Sequence, residues 1–137
     1  MLKKSFTTIM AVLMLLFTAC NSDAQKTNDK VPGIAAKIEV IQFHSEHRCY
    51  SCLQIEKLTK LTLANYFPSL KLVLVNVEDK KNEKMAEEFE ATGSALFLFN
   101  PATGKKKDLT SFAFLKVGNE KLFDTELKKH IEDFLKN

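Results

Sequence analysis

The chain is expected to fold as an α/β domain built on a mixed four-stranded sheet, with elements in the order β-α-β-α-β-β-α and helices flanking the sheet. Three observations carry that expectation. The run Ile38-Glu39-Val40-Ile41-Gln42-Phe43 is β-branched and aromatic, and a helical pattern separates it from a second apolar run, Leu70 to Val77. Asn100-Pro101-Ala102-Thr103-Gly104 supplies turn chemistry between two later strands. Leu122 to Leu135 places Phe123, Leu127, Ile131 and Phe134 on one helical face. The helix between the first two strands makes them parallel, and the tight turn between the last two makes them antiparallel.

The individual elements follow from pattern and punctuation. Residues 38–43 alternate in part and form the first strand. Leu53 to Phe67 reads as a helix, with Ile55, Leu58, Leu61 and Ala64 recurring every three residues. The unbroken apolar run Leu72 to Val75 suits a central strand buried on both faces. Asn82 to Ala91 forms a short helix that Gly93 stops. Ala95 to Phe99 is the third strand, and the fourth begins at Lys105. Thr110 to Val117 fits either of two states. Phe112 and Phe114 alternate as in a strand, yet Thr110 could cap a short helix that Gly118 ends; both phenylalanines are expected in the core.

Residues 1–19 read as a signal peptide of the lipoprotein type. Lys3 and Lys4 precede an uncharged stretch from Ser5 to Ala19. At ~1.5 Å per residue that stretch spans ~22 Å, short of the ~30 Å hydrocarbon core. It ends in Leu16-Phe17-Thr18-Ala19-Cys20, which resembles a bacterial lipobox with Phe17 where an aliphatic residue is usual. Lipidation of Cys20 is one route to maturation; ordinary cleavage after Ala24 is the other. Residues 20–36 then hold the lipidated Cys20 and a flexible polar tether with an r.m.s. span of ~20–24 Å. The domain occupies residues 37–137. The expected location is the cell envelope, exported and facing the periplasm, with a lipid anchor at Cys20 as the membrane contact.

Composition narrows the function classes. The chain has 137 residues, 45% hydrophobic and 27% charged, which is globular and enough for one core. Net charge is +3, of which Lys3 and Lys4 supply two in the segment expected to be removed. That near-neutral domain argues against a nucleic-acid partner, which needs a basic face. Three cysteines are too few for a disulfide-stapled miniprotein. Lipidation would use Cys20 and leave Cys49 and Cys52 as a pair, in a compartment where disulfides persist.

That pair carries the chemistry. Phe43-His44-Ser45-Glu46-His47-Arg48-Cys49-Tyr50-Ser51-Cys52 follows the first strand and opens the first helix. Residues three apart in a first helical turn share a face, so their sulfurs can meet. Free N–H groups and the partial positive charge of a helix N-terminus stabilise a thiolate, the attacking species. Arg48 adds a permanent positive charge beside Cys49, and His44 and His47 add more when protonated. Cys49 is therefore expected to be the catalytic nucleophile and Cys52 the resolving thiol. Tyr50 and Ser51, with Ser94 and Ala95, are candidate contacts for a partner protein. The plainer reading of the cysteines is a structural disulfide or two inert buried thiols. A third is a thiol-based site for Zn²⁺ or trivalent arsenic, drawing on His44, His47, Cys49 and Cys52. His130, beside the apolar face of the last helix, reads as structural. Lys105-Lys106-Lys107 reads as a solvated hairpin edge.

The strand–C-x-x-C–helix, Val75-Asn76-Val77-Glu78-Asp79, the Asn82 helix and the Phe97-Leu98-Phe99…Gly104 hairpin resemble the thioredoxin fold over roughly residues 37–136. Ile41-Gln42-Phe43-His44, Arg48-Cys49-x-x-Cys52, Ile55-Glu56-Lys57-Leu58-Thr59-Lys60, Val75-Asn76-Val77 and Ala91-Thr92-Gly93 narrow that resemblance. They are similar to a small exported family named as a nitrophenyl-compound nitroreductase subunit and associated with arsenical-resistance operons. The residues point to an exported, membrane-anchored thiol–disulfide oxidoreductase or dithiol electron carrier, and the resemblance implies that it supports nitroaromatic or arsenical reduction. Ordinary thioredoxins carry a cis-proline where this chain has Gly93-Ser94-Ala95-Leu96, and a buried Asp where it has Gln42. Tyr50-Ser51 replaces their Gly-Pro. These departures leave the substrate groove and the reduction potential open. No G-x-G-x-x-G loop occurs, so no cofactor is expected on this chain. A flavin- or thiol-dependent reductase is the expected redox partner.

Overall fold

The computed structural model describes residues 38–136. Strand β1 (Glu39–His44) leads into helix α1 (Tyr50–Tyr66) and strand β2 (Leu72–Asn76). A 3-10 turn (Lys80–Asn82) runs into the short helix α2 (Glu83–Glu88). Strands β3 (Ala95–Asn100) and β4 (Lys105–Asp108) form a hairpin, followed by α3 (Thr110–Lys116) and α4 (Glu120–Lys136). The expected signal peptide, the tether and Cys20 lie outside the described residues. Among the described residues, no helix is long and apolar enough to cross a membrane.

The sheet is mixed, in the order β2-β1-β3-β4. β1 runs parallel to β2 (Ile41 opposite Val73) and antiparallel to β3 (Ile41 opposite Phe97). β3 and β4 are antiparallel, joined by the expected turn, where Gly104 takes φ +73°. The interior strands are thus β1 and β3, and in β1 Val40, Ile41, Gln42 and Phe43 are all buried. The apolar run in β2 suggested a central strand, but β2 is an edge and Leu74 stands 38% exposed. Apolar side chains on both faces of β2 are explained by helices on both sides of the sheet, which does not require a strand on both sides.

Two cores result. On one face, Val40, Leu96 and Leu98 pack with Ile55 and Leu58 of α1 and with Phe123, Leu127, Ile131 and Phe134 of α4. The α4 stripe is the one the sequence spacing gives. On the other face, Ile41, Phe43, Val75 and Phe97 pack with Phe89 after α2. Phe89 lies 5.2 Å from both Phe43 and Phe97, ring centroid to centroid, in tilted and edge-on arrangements favoured by ring quadrupoles.

Several local expectations need correction. Cys49, in extended conformation (φ −73°, ψ 162°), caps α1, so the helix starts three residues before Leu53. Its buried face runs through Cys52, Ile55, Leu58, Thr59, Thr62 and Leu63, while Leu61 and Ala64 face outward. A strict three-residue period drifts about 60° per step around a 3.6-residue helix and leaves the buried face. Thr62 is satisfied there: its hydroxyl lies 3.1 Å from the Leu58 carbonyl and 2.8 Å from Asp124 Oδ1 of α4. Pro68 ends α1 by restricting Phe67 (φ −135°).

Gly93 does not stop α2. The stop lies at Glu90, which takes φ 52°. Ala91 N–H donates to the Ala86 carbonyl and Glu90 N–H to that of Glu87, a Schellman close with a non-glycine residue in the left-handed position. Thr110 to Lys116 is helical, yet Thr110 does not cap it. Asp108 Oδ1 accepts the Thr110 N–H at 2.7 Å, and Thr110 Oγ1 accepts the Leu96 N–H at 3.1 Å, tying α3 to β3. Phe112 packs against Phe123, whereas Phe114 is 39% exposed and not a core residue.

The lysines of β4 sit on the sheet edge, as expected, and also cover aromatic rings on both faces. Lys105 lies over Phe134, Lys106 over Phe89, and Lys107 Nζ reaches His130 Nδ1 at 3.2 Å. Period-two alternation along β4 sends them to opposite faces.

Candidate functional site

The loop after β1 carries Cys49 to the N-terminus of α1, and the first turn brings Cys52 back beneath it. Their Cα atoms are 5.2 Å apart and the sulfurs are joined as a disulfide. Cys49 Sγ accepts the Cys52 backbone N–H at 3.3 Å, so the sulfur occupies the N-capping position of the helix. The two cysteines differ in access. Cys49 is exposed and Cys52 is 3% exposed. An incoming nucleophile or disulfide therefore meets Cys49 first.

Cys52 is held from two sides. Gln42 of β1 donates Nε2–H to the Cys52 carbonyl at 2.9 Å. Ser94, at the entry to β3, places Oγ 2.9 Å from Cys52 Sγ. Ala95, the next residue, pairs with Phe43 of β1 and so fixes the position of Ser94 beside the helix.

Arg48 is partly buried, and its guanidinium is engaged by the Glu56 carboxylate, which also binds Lys60. The positive charge expected beside Cys49 is thus largely compensated within α1. Burial pushes the Glu56 carboxyl up, but the bonds from Lys60 and Arg48 outweigh it and hold the group below the ordinary carboxylate range. Arg48 Nε and Nη2 are buried without hydrogen-bond partners among the described residues.

The remaining candidates are spread around the cysteines. His44 Nδ1 lies 2.9 Å from the Ser45 carbonyl, and a protonated Nδ1 donates there. His47 is exposed. Among the described residues, no three His, Cys, Asp or Glu side chains gather closely enough to hold a metal ion. His44, His47, Cys49 and Cys52 are therefore not assembled as the Zn²⁺ set considered from sequence. Tyr50 is 77% exposed next to Cys49, and Ser51 and Ala95 are half-buried. A groove of about 390 Å³ between α1 and α4, lined in part by Thr62, Asn65 and Asp124, includes none of these residues.

Sequence reading missed the Gln42–Cys52 and Ser94–Cys52 bonds and the clamp on Arg48. The Glu56–Lys60 half of that clamp was legible as an i,i+4 pair. The rest depends on strand order.

No family model and no curated protein matches the chain. Among solved structures it is similar to one described as "Structure of a malarial protein", at 21% identity and a TM-score of 0.41. That match covers 58% of this chain and 94% of the other. A likeness at that level carries no argument about function.

Proposed function

We propose that this chain is an exported, membrane-anchored thiol–disulfide oxidoreductase or dithiol electron carrier of thioredoxin-like fold. One observation carries the reading: an exposed Cys49 caps α1 and is bonded to a buried Cys52 one turn along. The capping position supplies N–H groups and a partial positive charge to a Cys49 thiolate. The difference in access assigns the roles of attacking and resolving sulfur. The mixed sheet, with α1 starting after the end of its interior strand β1, supports the thioredoxin-like topology.

In the reductive direction, the Cys49 thiolate attacks a substrate disulfide and expels one substrate thiolate. Cys52 then attacks Cys49 Sγ, expels the second, and leaves the Cys49–Cys52 disulfide. Two electrons pass to the substrate in each cycle, and a thiol-dependent partner must return them. Support for nitroaromatic or arsenical reduction is part of the proposal, with the flavin on a partner protein. Lipidation of Cys20 supplies the anchor.

The test is a redox titration of the full chain in graded dithiothreitol, read by alkylation and mass mapping of Cys49 and Cys52. A reversible two-electron couple between ~ −270 and ~ −120 mV supports the reading. Cys52→Ser should trap a mixed disulfide with its partner in envelope extracts. A pair that neither opens nor closes across the titration would overturn the proposal. Intact mass of membrane-extracted protein tests the anchor: an unmodified chain starting at Gln25 would refute it.

A further inference from the structure

We propose that Ser94 is a catalytic residue of this site, donating its hydroxyl hydrogen to Cys52 Sγ and stabilising the thiolate that forms there. The inference rests on the thiol–disulfide reading above and assigns the group that makes the buried sulfur usable.

Ser94 Oγ lies 2.9 Å from Cys52 Sγ, and the oxidation state of the sulfur decides which atom donates. A sulfur in a disulfide carries no hydrogen, so the Ser94 O–H donates. Cys52 is 3% exposed, and burying a thiolate without a partner is costly. The neighbouring groups do not meet that need. Gln42 cannot ionise, and its Nε2–H is aimed at the Cys52 carbonyl. The Cys52 N–H is aimed at Cys49 Sγ. Arg48 is held by Glu56.

The exchange step shows where the hydroxyl acts. An external thiolate attacks Cys49 Sγ and forms a new S–S bond to it. The Cys49–Cys52 bond breaks, and its electron pair moves to Cys52 Sγ, 2.9 Å from the Ser94 hydroxyl oxygen. In reverse, the Cys52 thiolate attacks Cys49 Sγ in a mixed disulfide, and the electron pair leaves on the partner's sulfur. Ser94 keeps its own proton throughout. In the opening direction its hydrogen bond strengthens as charge develops on Cys52, which lowers that barrier; in the closing direction it raises the fraction of Cys52 present as the attacking thiolate.

The test uses the full chain with Cys20→Ser in every arm, so that only the pair reports. Reduced protein is mixed with a chromogenic bis(nitrobenzoate) disulfide. The first coloured thiolate released reports attack by Cys49, and the second reports resolution by Cys52. With Ser94→Ala, the second release should slow about three- to fourfold at neutral pH, because a pKa rise of about one unit cuts the Cys52 thiolate fraction about tenfold while the remaining thiolate becomes more nucleophilic. The pH midpoint of the second release should rise by about one unit, while the first stays within about twofold of wild type. Ser94→Thr should retain wild-type resolution, and Ser94→Val, which matches threonine in shape without the hydroxyl, should behave as Ser94→Ala. That pair decides the matter if Ser94→Ala fails to fold. Resolution in Ser94→Ala and Ser94→Val with wild-type rate and midpoint overturns the role of Ser94 and leaves the redox reading standing. If the wild-type arm never gives a second release, the redox reading itself falls, and the role of Ser94 with it.

Discussion

Gln42 Nε2 donates to the Cys52 carbonyl at 2.9 Å, tying strand β1 to the first turn of the helix that carries both cysteines. Both residues are buried, and Gln42 Oε1 has no partner among the described residues. Gln42→Ala is expected to cost about 1–3 kcal/mol, because the buried Cys52 carbonyl loses the side-chain donor it has beside its helical one and the truncation leaves a void between β1 and α1. Gln42→Glu carries a sharper signature. Burial next to a carbonyl raises the pKa of the new carboxyl above its unfolded value of ~4.3. The folded state then holds a proton that the unfolded state has lost, so stability falls as pH rises from that value. Urea midpoints from about pH 4 to pH 7 should diverge steadily from wild type. A constant difference across that range would show that residue 42 is not buried in solution.

The Arg48–Glu56–Lys60 clamp gives the opposite slope. Glu56 has its pKa depressed in the fold, so its contribution is present above the ordinary carboxylate pKa and is lost as pH falls through the folded value. Glu56→Gln should destabilise by about 1 kcal/mol at neutral pH, and the deficit should vanish in acid. Chemical denaturation of both proteins across that range checks it. A deficit that persists in acid would mean that the loss comes from packing rather than charge.

His130 governs a different pH window. Burial, and next the Lys107 charge, hold its pKa below the ordinary histidine value, against a partial pull from Glu126 and Asp133. A neutral ring accepting from Lys107 at Nδ1 agrees with that direction. As pH drops below ~6.5 the unfolded chain takes up a proton that the folded state resists, and stability is lost. His130→Gln should flatten the stability curve between about pH 6.5 and pH 5. An unchanged slope would place the titration elsewhere.

Glu90 closes α2 at φ 52°, where a Cβ costs about 1–2 kcal/mol. Glu90→Gly should stabilise the domain by about 0.5–1 kcal/mol after the entropy of glycine is subtracted, and Glu90→Ala should not. Thermal melts of the three proteins decide it. A gain in Glu90→Ala equal to that of Glu90→Gly would mean that backbone geometry is not the cause.

Cys49 exposed and Cys52 buried predict selective chemistry after reduction. A limited pulse of iodoacetamide should label Cys49 with little label on Cys52. The Cys49 rate should titrate below the free-thiol value of ~8.5, since the thiolate sits at the cap of α1. Equal labelling of both cysteines, or a midpoint at or above that value, would contradict the assigned roles.

The sequence by itself determined the kinds of element and their order, except for Thr110–Lys116, which it left open between strand and helix and which adds a second helix after β4. Periodicity and turn chemistry are local, and the Phe123-Leu127-Ile131-Phe134 stripe and the Asn100–Gly104 turn depend on residues a few positions apart. It also placed the cysteine pair at a strand-to-helix junction, because three-residue spacing in a first helical turn is a local fact. Only the tertiary structure decided that β1 is interior and β2 an edge, since an apolar run records coverage by helices as readily as by strands. It alone brought Ser94 to Cys52 across 42 residues and Gln42 to the Cys52 carbonyl. Such contacts depend on which strands pair and in what register, and no spacing along the chain encodes that.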